Sequence, residues 1–316
     1  MQYTYIRQFE ISKVTLGTVQ MGMDYGIANK TGMPGEKESF GILKAAIDGG
    51  INSFDTAELY GDSEAILGKY FTSNEGIDRQ PVITTKFRIT LCEYESTRNI
   101  EKQIYEHVEK SLQRLKIKKI PVYMLHISKD MIDMTLYGKI ISTTLEKLKK
   151  EGVIEKAGIS AYTSGEVDEM LKEDVYETIQ IPMNIMDHRL INSGSLKKLK
   201  AANIIVFARS VFLQGLFFLR PEELAGNLKG TEKLIRQVNL LAENEGISVA
   251  QLALLYIRDM EGITSLVLGA ETQEQVRENI KLMDAPSIKE NTRNKIREVF
   301  AGVPEEILNP RLWNIK

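Results

Sequence analysis

Four side chains that can hold or move a proton stand directly after short apolar runs. Asp55 and then Tyr60 follow the run 51–54, Lys86 follows 82–85, and His126 follows 122–125. Brought together, they suit the interconversion of a carbonyl and an alcohol. A lysine beside a phenol favours the phenolate and lowers its pKa from ~10. A tyrosine tuned in this way gives a proton to a carbonyl oxygen or takes one from an alcohol. Asp55 and Lys86 can pair, since neither charge tolerates burial alone. An imidazole can hydrogen-bond to the same oxygen, where charge develops as hydride reaches the carbon. Taken singly, each residue has a plainer role: Asp55 as a helix cap, Tyr60 as a turn aromatic packed on Leu67, Lys86 as a solvated strand end, His126 as a satisfied core histidine. The chemical reading depends on all four meeting at one place.

Whether they meet is decided by the elements that carry them. The apolar runs 14–19, 51–54, 82–85, 122–125, 154–159, 178–181, 204–207 and 265–268 read as eight strands. Most lack a period of two, as expected of strands buried on both faces in a parallel sheet. Helical patterns separate them at 36–48, 64–71, 99–115, 145–150, 167–171, 196–202 and 273–283, and another opens at Ser248 with capping-box spacing to Gln251. Gly49, Gly50, Gly152 and Gly246 mark helix ends. Strands alternating with helices argue for a parallel α/β fold, and eight units in about 285 residues argue for a closed (β/α)8 barrel. No linker or composition break divides residues 1–316, so a single domain is expected. Two pieces fall outside the repeat: an insertion at 212–230 with a helix at 231–242, and a tail at 287–316 that holds the only tryptophan, Trp313. Active sites of such barrels lie in the loops after the C-terminal ends of the strands. That is where the four residues fall.

Composition narrows the class. The chain has 316 residues, 43% hydrophobic and 27% charged, with a net charge of -2, which is ordinary for a soluble globular protein. Nothing resembles the basic face that nucleic acid calls for. The one cysteine, Cys92, permits no internal disulfide and no thiolate metal site, which fits a reducing compartment. No signal-peptide core or membrane-length apolar run occurs, so no membrane partner is expected and the cytoplasm is the expected location. A metal-dependent barrel hydrolase or aldolase would need clustered ligands, and only His107, His126 and His188 are available.

The stretch Gly50-Ile-Asn-Ser-Phe-Asp55-Thr-Ala-Glu-Leu-Tyr60-Gly-Asp-Ser-Glu-Ala-Ile-Leu-Gly68 resembles the signature of the aldo-keto reductases. The resemblance spans nearly the whole chain, from Gly17 and Thr18 to Glu278 and Asn279. It implies a (β/α)8 barrel that moves hydride between NAD(P)H and a carbonyl, with Asp55, Tyr60, Lys86 and His126 as the catalytic set. It also implies a cofactor site in which Gly17, Thr18 and Asp55 take part. Ser160 and Gln180 would contact the nicotinamide carboxamide. Arg209, Ser210, Phe212, Gln214 and Gly215 would lie along the ring and pyrophosphate, and Gly269, Ala270, Thr272, Gln275, Glu278 and Asn279 would hold the adenosine end. A helix opening near Thr272 could lend its N-terminal dipole to phosphate.

The chain departs from the family pattern in three places. Ala161 stands where the family commonly has asparagine. Arg209 stands where many members stack a tyrosine on the nicotinamide, and a planar guanidinium can stack similarly. None of Gly269, Glu271 and Gln275 is basic, although Arg277 is near in sequence. Family habit therefore implies NADP, while local charge favours NAD. The substrate pocket is expected from the loops after strands one, two and four and from the tail. Met21, Met23 and Tyr25 would supply apolar walls, with Asp24, Asn29 and Glu58 as polar partners. Such a pocket suits a sugar or polyhydroxy carbonyl better than a steroid. The competing expectation is a catalytically silent barrel acting as a nucleotide-binding or regulatory subunit.

Overall fold

The structure is a computed structural model and describes residues 1–29, 31–73, 81–90, 96–127 and 134–315. Cys92 lies outside the described residues. The chain opens with an antiparallel hairpin, β1 (Tyr3–Ile6) and β2 (Phe9–Ser12). It then lays down β3 (Val14–Gly17), β4 (Ser53–Asp55), β5 (Val82–Phe87), β6 (Ile120–His126), β7 (Ile154–Ser160), β8 (Tyr176–Pro182), β9 (Ile205–Arg209) and β10 (Ser265–Gly269). Every neighbouring pair is parallel and β10 closes on β3, so the eight apolar runs form the expected closed barrel.

The helices are α1 (Glu36–Asp48), α2 (Ser63–Ser73), α3 (Thr97–Leu115), α4 (Met134–Lys150), α5 (Ser164–Met170), α6 (Ser195–Ala201), α7 (Glu232–Glu245), α8 (Val249–Arg258), α9 (Gln273–Met283) and α10 (Glu290–Val299), with short helical turns between some of them. Their starts follow capping chemistry: the side chains of Ser96, Ser248 and Thr272 accept from Asn99, Gln251 and Gln275 backbone N–H groups. No helix among the described residues is long and apolar enough to cross a membrane.

Both faces of the barrel wall are apolar, which hides the period of two in the sequence. Ile83, Tyr123 and Val206 pack outward among the helices, while Val82, Val122, Met124, Ile205 and Phe207 pack inward. The inward set meets Phe9 and Ile11 of the hairpin, which plug the barrel at the end where the strands begin. Higher in the lumen the residues turn polar. Thr15 Oγ1 bonds Ser53 Oγ at 2.9 Å and Ser265 Oγ at 2.7 Å, and beyond that layer lie Asp55 and Lys86. The hairpin and its plug are absent from the sequence reading. Its turn is made by Arg7 and Gln8, both at positive φ (48° and 70°), without the glycine or asparagine that normally announces such a turn.

Candidate active site

The parallel register carries every strand-end candidate to one rim. Asp55 ends β4 and pairs with Gly17, the last residue of β3; His126 ends β6 opposite Ser160, and Ser160 lies opposite Gln180. Arg209 ends β9 and Gly269 ends β10. At the centre, Lys86 Nζ donates to Asp55 Oδ1 at 2.6 Å and to the Thr56 carbonyl at 2.9 Å. Gln180 Nε2 donates to the same Asp55 oxygen at 2.7 Å. Lys86 Nζ also lies 5.1 Å from the centre of the Tyr60 ring. Asp55, Lys86, Gln180 and Ser160 are all buried, so the ion pair is sealed inside the mouth rather than solvated.

The loop that presents Tyr60 is held by backbone packing. Thr56 N–H donates to the Thr84 carbonyl at 2.8 Å and Glu58 N–H to the Lys86 carbonyl at 3.1 Å, which extends β4 past its last strand residue. Gly22 and Gly61 let two chain segments touch. A Cβ on Gly22 would lie 1.8 Å from the Tyr60 carbonyl oxygen, and one on Gly61, at φ +52°, would lie 2.0 Å from the Gly22 oxygen. Thr18 Oγ1 donates to the Asp55 carbonyl at 2.9 Å and lies 2.6 Å from Ser63 Oγ. Thr18 therefore ties the loop rather than lining a cavity. Glu58 does not face the substrate space as expected. Its Oε2 lies 2.5 Å from His107 Nδ1 on α3, because the barrel wall at this point packs against that helix.

The electrostatics correct one expectation. Burial, and then the Asp55 carboxylate, hold the Tyr60 hydroxyl well above the ordinary phenol range, while Arg209 and Arg311 pull it the other way. The anticipated lowering by Lys86 does not prevail: that ammonium is committed to Asp55, and burial with the Asp55 carboxylate outweighs it in the resting site. Burial lowers Lys86 itself, against the pull of Asp55. His126 is driven down to about 3, first by burial and then by Lys86, Arg209, Arg311 and Arg88. It is a neutral imidazole at ordinary pH, and its buried Nδ1 has no hydrogen-bond partner among the described residues.

From Asp55 and Tyr60 a groove of about 510 Å³ runs across the rim. Of the expected cofactor residues, Gly17, Asp55, Gln180, Arg209, Ser210, Phe212, Gln214, Gly215, Gly269, Gln275, Glu278 and Asn279 line it. Thr18, Ser160, Ala270 and Thr272 do not. Ala270 is buried, Thr272 caps α9, and Ser160 is buried with its hydroxyl unpartnered among the described residues. The loop after β3 folds over the groove: Ile27 N–H donates to the Gln214 carbonyl at 3.1 Å, and Gln214 Nε2 reaches the Tyr25 hydroxyl at 3.3 Å. Tyr25 and Asn29 line the groove, whereas Met21 is sunk in the core and Met23 is exposed. Arg277 does not reach the groove; its guanidinium is held on α9 by Glu274 at 3.2 Å and Gln273 at 3.1 Å. The strand-four loop, residues 128–133, lies outside the described residues.

Sequence reading missed Tyr162 and Arg311. The guanidinium carbon of Arg209 lies 4.0 Å from the centre of the Tyr162 ring, and that of Arg311 lies 3.5 Å from it. Tyr162 follows β7 closely enough to have been a candidate. Nothing local in the tail distinguishes Arg311, which is brought to the rim by its 2.7 Å hydrogen bond to the Ile127 carbonyl.

Comparison with known proteins places the chain. It belongs to the aldo/keto reductase family, whose model matches residues 13–300. It is accordingly an oxidoreductase of a family that works with nicotinamide cofactors on small molecules. It is 28% identical over 297 residues to the uncharacterized oxidoreductase YqkF of Bacillus subtilis, covering 89% of this chain and 90% of that one. It is 27% identical over 262 residues to the NADH-specific methylglyoxal reductase of Escherichia coli, covering 74% and 79% respectively. The solved holo form of aldo-keto reductase AKR11C1 from Bacillus halodurans superposes with a TM-score of 0.78 at 24% identity, over 98% of this chain and 100% of that one, a likeness of fold.

Proposed function

We propose that the protein reduces a small aldehyde or ketone at the expense of NADH, with Tyr60 as the general acid. The observation that carries this reading is the placement of Lys86, 2.6 Å from Asp55 Oδ1 and 5.1 Å from the Tyr60 ring centre, at the head of the groove. The residues fit a nicotinamide dinucleotide. Gly17, Gly215 and Gly269 keep stretches of the groove free of side chains, and a Cβ on Gly269 would meet the Gln20 amide at 2.5 Å. Ser160 Oγ and Asn184 Nδ2 are buried polar atoms without partners among the described residues, a donor and acceptor set suited to an amide. Gln180, Ser160 and Asn184 would hold the nicotinamide end, Arg209 and the 210–215 turn the middle, and Gln275, Glu278 and Asn279 the adenosine end. When bound, the cofactor supplies the hydride.

The protein's own part is to hold the carbonyl and deliver the proton. Tyr60, kept neutral by burial, donates its hydroxyl proton to the carbonyl oxygen as negative charge builds there. Lys86 stabilises the phenolate left behind, and Asp55 with Gln180 fixes the position of Lys86. His126, neutral and therefore able to donate a single hydrogen bond, orients the same oxygen. Returning the proton to Tyr60 gives the reverse oxidation of an alcohol.

The preference for NADH rests on charge. Glu271 and Glu278 line the far end of the groove, and Arg277 is tied to its own helix. A carboxylate repels a 2′-phosphate and accepts from a ribose hydroxyl. Fluorescence titration with both cofactors tests this, with NADH expected to bind at least roughly tenfold tighter, equivalent to about 1.4 kcal/mol. Tighter binding of NADPH overturns the cofactor choice. Failure of either cofactor to be oxidised by any of a panel of small carbonyls overturns the reduction itself and restores the silent-barrel alternative.

A further inference from the structure

Two guanidiniums share one aromatic ring at the mouth of the barrel, and no carboxylate among the described residues pairs with either of them. Arg209 and Arg311 are both half-buried, and both stack on Tyr162. Among the described residues no Asp or Glu oxygen comes within the 4.0 Å of an ion pair with either one. Three other arginines with little exposure are neutralised by carboxylates. Arg189 pairs with Asp187 at 2.8 Å and with Glu305 at 3.0 Å, and Arg258 and Arg293 share Asp259 at 2.6 and 3.2 Å. Glu166, whose field reaches Arg311, is taken up by the backbone N–H groups of Tyr162 at 2.6 Å and Thr163 at 3.0 Å. Two partly desolvated like charges are therefore held together by the fold with no ion-pair partner among the described residues, an arrangement that an incoming anion would stabilise.

The position of Arg311 says where that anion would lie. Its Nη2 donates to the carbonyl of Ile127, the residue directly after His126. Arg209 lines the groove together with Tyr60. The Tyr162 ring and the Ile127 carbonyl hold the Arg311 guanidinium in place, and a positioned planar fork is matched to the two oxygens of a carboxylate or phosphate. We propose that the substrate carries an anionic group, carboxylate or phosphate, a few atoms from its reacting carbonyl, and that Arg311 receives it. This rests on the carbonyl reduction argued above and narrows its substrate from any small aldehyde or ketone to an anionic one. Glu58, the residue that had suggested a partly acidic pocket, faces His107 instead.

The test compares matched carbonyls with saturating reduced cofactor. One pair is a four-carbon aldehyde ending in a carboxylate against the same aldehyde ending in a methyl group. The other is a three-carbon hydroxyaldehyde with and without a terminal phosphate. In at least one pair the charged member should show a kcat/KM roughly tenfold to a hundredfold higher, mostly through KM, and the pair with the larger ratio identifies the anion. Arg311→Gln should bring that ratio close to one. Arg311→Lys, which keeps the charge and loses the fork, should retain part of it. Circular dichroism and the thermal midpoint report that each variant is folded. Calorimetric titration of the unreactive four-carbon acid and of inorganic phosphate should show saturable binding of the favoured anion that Arg311→Gln loses. Equal kcat/KM for charged and neutral partners overturns the inference and leaves the reduction standing, as does a ratio or a binding isotherm untouched by Arg311→Gln. No turnover of any of the four carbonyls removes the reduction, and the inference falls with it.

Discussion

At the scale of single residues, the site is built from groups whose protonation is set by burial more than by their neighbours' charges. Tyr60 is neutral and so is His126, whose four neighbouring cations act in the same direction as its burial. A neutral phenol is the form that can donate a proton, as the proposed reduction requires. Tyr60→Phe removes that proton and little else. Its expected effect is a loss of about 10²–10⁴ in kcat, the usual contribution of a positioned general acid, with cofactor affinity within a few-fold of the native value. Turnover undiminished in that variant, read by NADH oxidation, would remove Tyr60 from the mechanism. The imidazole gives a second prediction with a definite sign. His126 titrates near 3 in the folded protein against an ordinary 6.5, so it stays unprotonated across neutral pH. The reduction kcat/KM should then show no break between about pH 5 and about pH 8. Stability should fall as pH drops below 6.5 toward 3, because only the unfolded chain takes up this proton in that window. A break near 6.5 in the rate profile that vanishes in His126→Gln would contradict the buried neutral state.

At the scale of elements, what matters is how a loop beyond β4 can hold a phenol steady. The answer lies in two glycines, because the backbones of 22 and 60–61 touch where no side chain fits. Gly22→Ala places a methyl 1.8 Å from the Tyr60 carbonyl and 2.7 Å from Ser63 N, both backbone atoms that cannot rotate away. The loop must shift, so stability should fall by about 1–3 kcal/mol and kcat should drop with it. Native Tm together with native kcat in the variant would show that Tyr60 is not held by this contact. Legibility in the sequence follows the same division between elements and their contacts. The barrel strands were readable because a wall buried on both faces is rich in apolar and β-branched residues without a period of two, and the residue after such a run, Asp55, Lys86 or His126, is then carried to the rim by register. The hairpin was not readable, since Arg7 and Gln8 turn the chain at positive φ without the usual residues. Nor was the direction of Glu58, which depends on a helix some fifty positions on supplying His107.

At the scale of the whole molecule, the two ends of the barrel do different work. The rim where strands end gathers residues from the whole length of the chain: Tyr60 from the second loop, Arg209 from β9 and Arg311 from the tail. Arg311 was invisible in the sequence because its role depends on long-range placement, a tail folded back across the mouth to the Ile127 carbonyl. The opposite end is closed by the hairpin, which Ser12 and Asn52 tie to the barrel by hydrogen bonds. Ile11 is fully buried with Phe9 against Val122, Met124, Ile205 and Phe207, an apolar plug below the Thr15, Ser53 and Ser265 layer. Truncating it should expose how far the two ends are coupled. Ile11→Ala removes three buried carbons from a site hemmed in by rigid strands, where the surroundings collapse only in part, so unfolding stability should fall by about 2–5 kcal/mol. The catalytic rim lies beyond the polar layer and shares no contact with Ile11, so distant effects on it should be near zero. Denaturant unfolding and steady-state kinetics on the same preparation separate the two. A lowered midpoint with kcat and cofactor affinity preserved is the expected pair of results, whereas a large loss of kcat in a folded variant would mean that the plug sets the geometry of Lys86 and Asp55 through the lumen.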